Sequence, residues 1–260
     1  MKEYNNFLLN LNDGVLTATV NRPEVRNALN YETISELSEI LDTINCNNSI
    51  SMAFFTGSGD KAFVSGADIS FLKERGLVES LGANTQQVFS KLEHCIKPTV
   101  ALVNGYALGG GFEFALACDI RIATPNAKFG FPELNIGILP GAGGTQRIAR
   151  YVGLGYAKDL LLTGKIIDAE EAYRIGVVTR LAPSLSEVPL LIENIVNEIK
   201  NKSPLSLRLT KGLVSSSLST DIESGLFMET LGYALTMGSE DKNEGVSAFF
   251  EKRTPKFKGY

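Results

Sequence analysis

The stretch that decides the fold is residues 97–119, KPTVALVNGYALGGGFEFALACD. The apolar run 99–103 follows Lys97-Pro98 and predicts a short buried strand. Three consecutive glycines, 109–111, precede an apolar segment that predicts a helix from about residue 110 to residue 118. The stretch therefore predicts a strand, a glycine-rich turn and a helix.

Glu113 is the most informative residue of this stretch. It is the only carboxylate, lysine or arginine in residues 98–117. A carboxylate in apolar surroundings loses hydration, which raises its pKa and makes it a credible proton-transfer group. The alternative is a helix-surface carboxylate that interacts only with the positive N-terminal end of the helix dipole.

The glycines beside it allow two interpretations. Glycine lets the backbone approach a ligand closely, and the N–H groups of a first helical turn have no partner inside the helix. Such donors can stabilise an oxyanion on an acyl group or bind phosphate. Tight packing of the strand on the helix explains the glycines equally well. Neither GxGxxG nor GxxxxGK[ST] occurs, so the nucleotide-binding fingerprints are excluded.

A second carboxylate, Glu133, ends the aromatic and proline-stiffened segment FGFPE, residues 129–133. Twenty positions and a predicted strand, 120–123, separate it from Glu113, so both can return to one end of a sheet. Two carboxylates around one substrate can divide acid and base duties. A solvated loop glutamate is the alternative.

Residues 141–147, GAGGTQR, are compatible with a phosphate loop or with a glycine hinge before a helix.

The remaining chain repeats strand, strand and helix loosely. Strands are predicted at residues 8–11 and 15–20, joined by the turn Asn12-Asp13-Gly14, and at residues 52–55. Helices are predicted at residues 31–44 and around 86–92. Helical periodicity dominates after residue 155, and a boundary is predicted near residues 201–204.

Composition narrows the class of protein. The 260 residues are 44% hydrophobic and 21% charged, as in an ordinary globular protein. The net charge of −4 favours neither nucleic acid nor an anionic membrane as a partner. The start of the chain shows no secretory signal, so we expect a cytoplasmic enzyme. The long uncharged run of residues 98–112 contains four glycines and ends at Glu113, so we expect no membrane span.

Cysteine and histidine are scarce. Cys46, Cys95 and Cys118 are scattered and show no CxxC spacing, and His94 is the single histidine. This pattern argues against a disulfide framework and against a zinc site or another site built on several imidazoles. His94 and Cys118 are expected to be structural.

The chain resembles a known family, the enoyl-CoA hydratase/isomerase or crotonase superfamily. The resemblance covers nearly the whole chain and rests on ten short motifs in a fixed order. They are NRP (21–23), NAL (27–29), AFVSGADI (62–69), KP (97–98), NGYALGGGFE (104–113), CD (118–119), FGFPE (129–133), LPGAGGTQR (139–147), EG (244–245) and AFFEKR (248–253).

The resemblance implies an α/β fold, a crotonase-type spiral of ββα units. It places a core with the active site in residues 1–200 and a helical trimerisation region in residues 201–260. It also implies a homotrimer or a dimer of trimers, a CoA thioester as substrate, and no metal or other cofactor.

The same resemblance implies an enoyl-CoA hydratase that adds water to a 2-trans-enoyl-CoA. The residue matching Glu113 activates the water, the residue matching Glu133 protonates Cα, and the backbone N–H groups of Ala67 and Gly110 hold the thioester oxygen. Substrate or CoA contacts are expected from Val25, Arg26, Ala28, Ser65, Asp68, Ile69, Gly109, Pro132 and Gly141. The alternatives are a Δ3-Δ2 enoyl-CoA isomerase and a non-catalytic, RNA-binding protein on the same fold.

Overall fold

Two β-sheets organise the computed structural model, which describes residues 2–260 except for the side chains of residues 71 and 74. The larger sheet has the order β1-β2-β3-β5-β7-β10, and the smaller one has the order β4-β6-β8-β9. The larger sheet contains β1 (Phe7–Asn12), β2 (Val15–Val20), β3 (Met52–Gly57), β5 (Thr99–Val103), β7 (Ile120–Ala123) and β10 (Arg180–Leu181). The smaller sheet contains β4 (Ala62–Val64), β6 (Tyr106–Leu108), β8 (Lys128–Gly130) and β9 (Ile166–Asp168).

Successive strand pairs are divided between the sheets. Each of β3, β5 and β7 adds a parallel strand to the larger sheet, and the strand that follows it adds to the smaller one. Only the outer pairs β1–β2 and β8–β9 are antiparallel among the described residues. The predicted α/β spiral of ββα units is confirmed.

The helices follow the strand pairs. The first seven are α1 (Tyr31–Cys46), α2 (Ile69–Glu74), α3 (Leu77–Leu81), α4 (Asn84–Glu93), α5 (Gly110–Ala117), α6 (Gly144–Thr163) and α7 (Ala169–Arg174). The C-terminal four are α8 (Val188–Lys200), α9 (Pro204–Ser216), α10 (Ile222–Met237) and α11 (Glu240–Glu251). Short 3₁₀ helices lie at Pro23–Val25, Pro132–Ile136 and Leu185–Glu187.

The longer predicted elements are confirmed with small shifts of their ends. Besides the two-residue β10 and the short helices α2 and α3, the sequence pattern does not predict the strands of the smaller sheet. Each has three residues. A three-residue strand shows no alternation of apolar and polar side chains, so periodicity cannot detect it.

Helix α5 is buried from Gly111 to Ala117. A side chain at Gly111 would overlap the carbonyl oxygen of Val64, so this glycine lets α5 approach β4 closely. Three residues further along, Phe114 contacts the rings of Phe55, Phe63 and Phe89, with centroid distances of 5.4 to 5.5 Å. The helix that carries Glu113 is thereby fixed in the apolar core.

The chain divides into two compact units. One runs up to Cys95 and includes Thr99–Val188, and the other contains Ile96–Pro98 and Pro189–Tyr260. Both sheets and helices α1–α7 belong to the first unit, and α9–α11 belong to the second. The predicted division at residue 200, and a role for residues 201–260 in trimer assembly, stay predictions.

Candidate active site

The backbone amide of Gly110, at the N-terminus of α5, lies close to the backbone amide of Ala67. Leu29 donates to the Gly66 carbonyl at 2.8 Å and accepts from the Asp68 amide at 2.8 Å, which holds the Ala67 peptide in place. A Cβ built on Gly110 would lie 3.9 Å from the Ala67 nitrogen. Within residues 2–260 neither the Ala67 nor the Gly110 N–H has a hydrogen-bond acceptor. Two adjacent amides are thus available to one oxygen of a ligand.

Glu113 lies one turn into α5 and is 2% exposed. Its Oε1 accepts hydrogen bonds from the Ala142 amide at 2.7 Å and the Gly144 amide at 2.8 Å. Burial raises the pKa of Glu113, while these two amides and the positive charge of Arg147 oppose the rise. Oε2 makes no hydrogen bond within residues 2–260 and is the oxygen available to a water molecule.

Glu133 lies in the 3₁₀ helix Pro132–Ile136, and its carboxylate reaches the N-terminus of α5. A Cβ built on Gly109 would lie 2.5 Å from Glu133 Oε1. Burial raises the pKa of Glu133 to about 7, and the negative charge of Glu113 adds to the rise. Its Oε2 is buried without a hydrogen-bond partner among the described residues. Such a group binds a proton more readily than an ordinary glutamate.

Buried aromatic rings of the core form an apolar wall beside Glu113. Phe112 stacks on Phe131 with a centroid distance of 4.6 Å and contacts Phe129 at 5.3 Å. All three side chains are fully buried. A Cβ built on Gly144 would lie 2.7 Å from the Phe131 ring, so the loop before α6 rests directly on this aromatic wall. The apolar wall is a reason for the raised pKa values of both glutamates.

Comparison with known proteins decides the family. The sequence model of the family "Enoyl-CoA hydratase/isomerase" matches residues 10–260. This chain belongs to the enoyl-CoA hydratase/isomerase family.

Several members of the family are similar over their whole length. A crotonyl-CoA hydratase from Syntrophomonas wolfei is 41% identical to this chain over 256 residues, which cover 98% of each protein. A short-chain-enoyl-CoA hydratase from Clostridium acetobutylicum is 41% identical over 253 residues, covering 96% of this chain and 97% of the relative. The crystal structure of an enoyl-CoA hydratase from Bacillus anthracis has a TM-score of 0.94 and 35% identity, covering 98% of this chain and 100% of that one.

The two segments expected to contact CoA in a member of this family lie side by side. The Ser65 amide donates to the Arg26 carbonyl at 3.2 Å, which joins residues 25–28 to residues 65–69. Val25 is 37% exposed and Ala28 is nearly buried. Arg26 adopts a left-handed backbone with φ of 55°, as does Asn27 with φ of 58°. The buried Asn27 side chain holds this turn by donating to the Ser58 and Ala62 carbonyls at 3.0 and 2.8 Å.

The other expected contact residues lie at the start of α2, in the 3₁₀ helix of Glu133 and beside the loop that binds Glu113. The Asp68 carboxylate caps α2 by accepting from the Ser70 amide at 3.2 Å, and it pairs with Arg22 at 3.3 Å. The Asp68 carboxylate is therefore already bonded to other groups of the protein. Ile69 is 79% exposed. Pro132 begins the 3₁₀ helix that carries Glu133, and Gly141 is exposed next to the loop that binds Glu113.

Sequence reasoning missed the groups that hold the Glu113 carboxylate. Residues 141–147 are not free to serve as a phosphate loop, because the Ala142 and Gly144 amides already bind Glu113. Arg147 supports this loop and pairs with Glu93 of α4 at 2.7 Å. An arginine that follows a glycine-rich segment was the only sequence signal for this contact.

Among the side chains that the structure describes, no cluster of three or more His, Cys, Asp or Glu is arranged to hold a metal ion. None of the helices formed by residues 2–260 has the length and apolar character of a membrane span.

Proposed function

We propose that this chain is an enoyl-CoA hydratase that adds water to a short 2-trans-enoyl-CoA and gives the 3-hydroxyacyl-CoA. Glu113 and Glu133 form the acid–base pair, and the backbone amides of Ala67 and Gly110 bind the thioester oxygen. One observation carries the proposal. Two carboxylates with raised pKa values, the buried Glu113 and the half-buried Glu133, lie at the helix end where these two amides have no acceptor.

Glu113 is suited to take the proton from water. Two amide hydrogen bonds and the charge of Arg147 favour its ionised form against the effect of burial. Both amides bind Oε1, so Oε2 is directed away from them and can accept a hydrogen bond from water. As Oε2 takes one proton, the water oxygen forms its bond to Cβ of the substrate.

The electrons of the Cα=Cβ bond then move towards the thioester carbonyl. The developing negative charge on its oxygen is stabilised by the N–H groups of Ala67 and Gly110, which is the arrangement of an oxyanion hole. Glu133, protonated because its pKa is raised to about 7, delivers a proton to Cα. Proton exchange with solvent then returns both glutamates to their starting forms.

The short acyl chain is supported by the relatives named crotonyl-CoA hydratase and short-chain-enoyl-CoA hydratase. Another relative, from Escherichia coli, is named 2,3-dehydroadipyl-CoA hydratase and is 40% identical over 245 residues, 94% of this chain and 95% of its own length. Turnover of crotonyl-CoA is therefore the first measurement, with medium-length, branched and dicarboxylic 2-enoyl-CoA thioesters beside it.

The test of the proposal is the pair of variants Glu113→Gln and Glu133→Gln. Both are nearly isosteric and remove proton transfer while keeping hydrogen bonding. Each should lower the rate of hydration by on the order of 10²–10⁴, the usual contribution of a positioned acid or base. The rate is followed as the loss of conjugated enoyl-thioester absorbance with crotonyl-CoA.

A matched control and a second substrate complete this test. Glu170→Gln changes an exposed glutamate of α7 and should leave the rate unchanged. A 3-enoyl-CoA tests for double-bond migration, which moves one proton between carbons and needs a single carboxylate. Full hydration by Glu113→Gln would contradict the proposed role of Glu113, and turnover of the 3-enoyl substrate alone would favour an isomerase.

We further propose that the protein is a homotrimer or a dimer of trimers. Support comes from the C-terminal unit, which exposes large apolar side chains on three successive helices. They are Val214, Leu226, Phe227, Leu231, Phe249 and Phe250, each between 50% and 80% exposed. Extended apolar surface of this kind is unusual on a monomer and is typical of a subunit interface.

A further inference from the structure

Arg147 is a charged side chain buried next to the proposed site. It is 7% exposed and lies in the first turn of α6. Its Nε and Nη2 donate to Oε2 of Glu93 at 3.1 and 2.7 Å, and its Nη1 donates to the Ala142 carbonyl at 2.9 Å. A buried cation is stable only where it is paired and hydrogen-bonded. These three hydrogen bonds of the guanidinium, the Arg147 fork, link α4 to the loop before α6.

The same arginine fixes the loop from a second side. Gly143 has a φ of 103°, in the left-handed region, and a side chain there would overlap the Arg147 guanidinium. The Gly143 carbonyl accepts from the Arg147 amide at 2.9 Å and from the Gln146 amide at 3.1 Å. Residues 142–144 are therefore held by both the side chain and the backbone of Arg147.

The loop held in this way determines where the Glu113 carboxylate lies. The Ala142 and Gly144 amides both donate to Oε1. Two donors that converge on one oxygen fix the plane of the carboxylate and thus the direction of Oε2. If the loop relaxed, both donors would move together, because the residue between them is the one packed on Arg147.

We propose that Arg147, held by Glu93, is a positioning residue of the hydration reaction that fixes the Ala142–Gly144 loop and thereby aims Glu113 at the water. The inference rests on the proposed function, in which Glu113 is the base. Arg147 touches neither substrate nor reacting atoms, and it acts through the carboxylate. A misplacement of about 1 Å in a reacting group can lower a rate about 10²-fold.

The first measurement compares Arg147→Met with Arg147→Lys. The methionine removes the hydrogen bonds and the charge and should lower kcat about 10²-fold. KM should change little, because the residues expected to contact CoA are untouched. Lysine keeps the charge but not the fork, and it should recover part of kcat. Arg150→Met is the matched control, since Arg150 is exposed on the same helix and should have no effect.

The second measurement is a double-mutant cycle. In a Glu113→Gln background, adding Arg147→Met should cause no further loss of kcat, because the group that Arg147 positions has already lost its function. Residual turnover is measured at high enzyme concentration. A folded Arg147→Met variant with wild-type kcat would overturn the inference, and so would a loss that multiplies with that of Glu113→Gln.

Two further outcomes separate this inference from the function itself. If Glu113→Gln alone retains full hydration, the assignment of Glu113 as the base fails, and the role of Arg147 fails with it; if the wild type hydrates no 2-enoyl-CoA, the proposed function itself fails. If Arg147→Met does not fold, Glu93→Gln takes its place in the same cycle, because the Glu93 side chain is 36% exposed and its change weakens the same fork. Glu93→Gln must then lower kcat in the wild type and not in the Glu113→Gln background.

Discussion

At the scale of the residue, two glutamates of one site differ through their surroundings. Burial raises the pKa of Glu113, while two amide hydrogen bonds and the charge of Arg147 oppose this rise. Glu133 has a buried oxygen without a partner and feels the charge of Glu113, and both favour the protonated form. Both pKa values are raised, and Glu113 is the carboxylate whose rise two amides and a cation oppose, which supports its proposed role as the base.

The pH dependence of hydration follows from the Glu133 pKa of about 7. A proton donor is active below its pKa and inactive above it. We therefore expect kcat/KM for hydration of crotonyl-CoA to fall as the pH rises through about 7, approaching about tenfold per pH unit. The profile is measured by the same absorbance assay over a range of buffers at constant ionic strength.

Two comparisons assign this decrease to the enzyme. A crotonyl thioester of pantetheine lacks the ionising phosphates of CoA and should give the same decrease. The Glu170→Gln variant should keep the wild-type profile. A rate that stays constant from about pH 6 to about pH 9 would contradict the assignment of Glu133 as the acid.

At the scale of the element, the two ends of the short apolar helix α5 differ in their hydrogen bonding. Its N-terminus leaves the Gly110 amide without an acceptor. Its C-terminal carbonyls are satisfied by two side chains: Arg121 Nη1 donates to the Cys118 carbonyl at 2.6 Å, and the Tyr151 hydroxyl donates to the Leu116 carbonyl at 3.3 Å. A cation at the C-terminus also complements the helix dipole. The helix is thus stabilised at the end away from the proposed chemistry.

Loss of Arg121 should destabilise the protein. The side chain is 1% exposed, donates from Nε to the Val177 carbonyl at 2.6 Å, and lies 4.3 Å from the centre of the Tyr151 ring. Arg121→Met leaves buried carbonyls without donors, at a cost of about 1–3 kcal/mol for each. We expect a lower Tm in thermal unfolding and a partial recovery with Arg121→Lys.

The control for this prediction is Arg150→Met, which removes an exposed arginine that bonds only the Gln146 carbonyl. Its Tm should equal that of the wild type at the same protein concentration. An Arg121→Met variant as stable as this control would show that the helix end does not depend on the guanidinium.

At the scale of the whole molecule, the proposed assembly depends on the C-terminal unit. Phe227 of α10 is 65% exposed and Phe249 of α11 is 80% exposed. Both rings would lose contact with water in an interface, which is the driving force for association. Light scattering at micromolar protein should therefore report a stable trimer or hexamer for the wild type.

The paired change Phe227→Glu and Phe249→Glu should reduce this mass, because it places charges in an apolar contact. Leu185→Glu alters a similarly exposed residue, 61% exposed, in the first unit and should leave the mass unchanged. A wild-type monomer at micromolar concentration would contradict the proposed trimer.

The sequence by itself determined the long elements and the central helix. Strands β1, β2 and β5 and helices α1 and α5 carry apolar patterns long enough to be recognised, and the glycines before Glu113 marked the start of α5. Glu113 stood out because its charge interrupts an apolar run, a local feature that does not depend on distant parts of the chain. The order of the motifs was sufficient for the family.

Only the tertiary structure decided the smaller sheet and the environment of the glutamates. Its three-residue strands are defined by pairing with partners distant in sequence and not by any pattern of their own. The amides that bind Glu113 come from residues 29 and 31 positions later in the chain. The raised pKa of Glu133 depends on burial beside a second carboxylate. Hydrogen bonding and desolvation depend on distances in space, and the folded chain alone sets those distances.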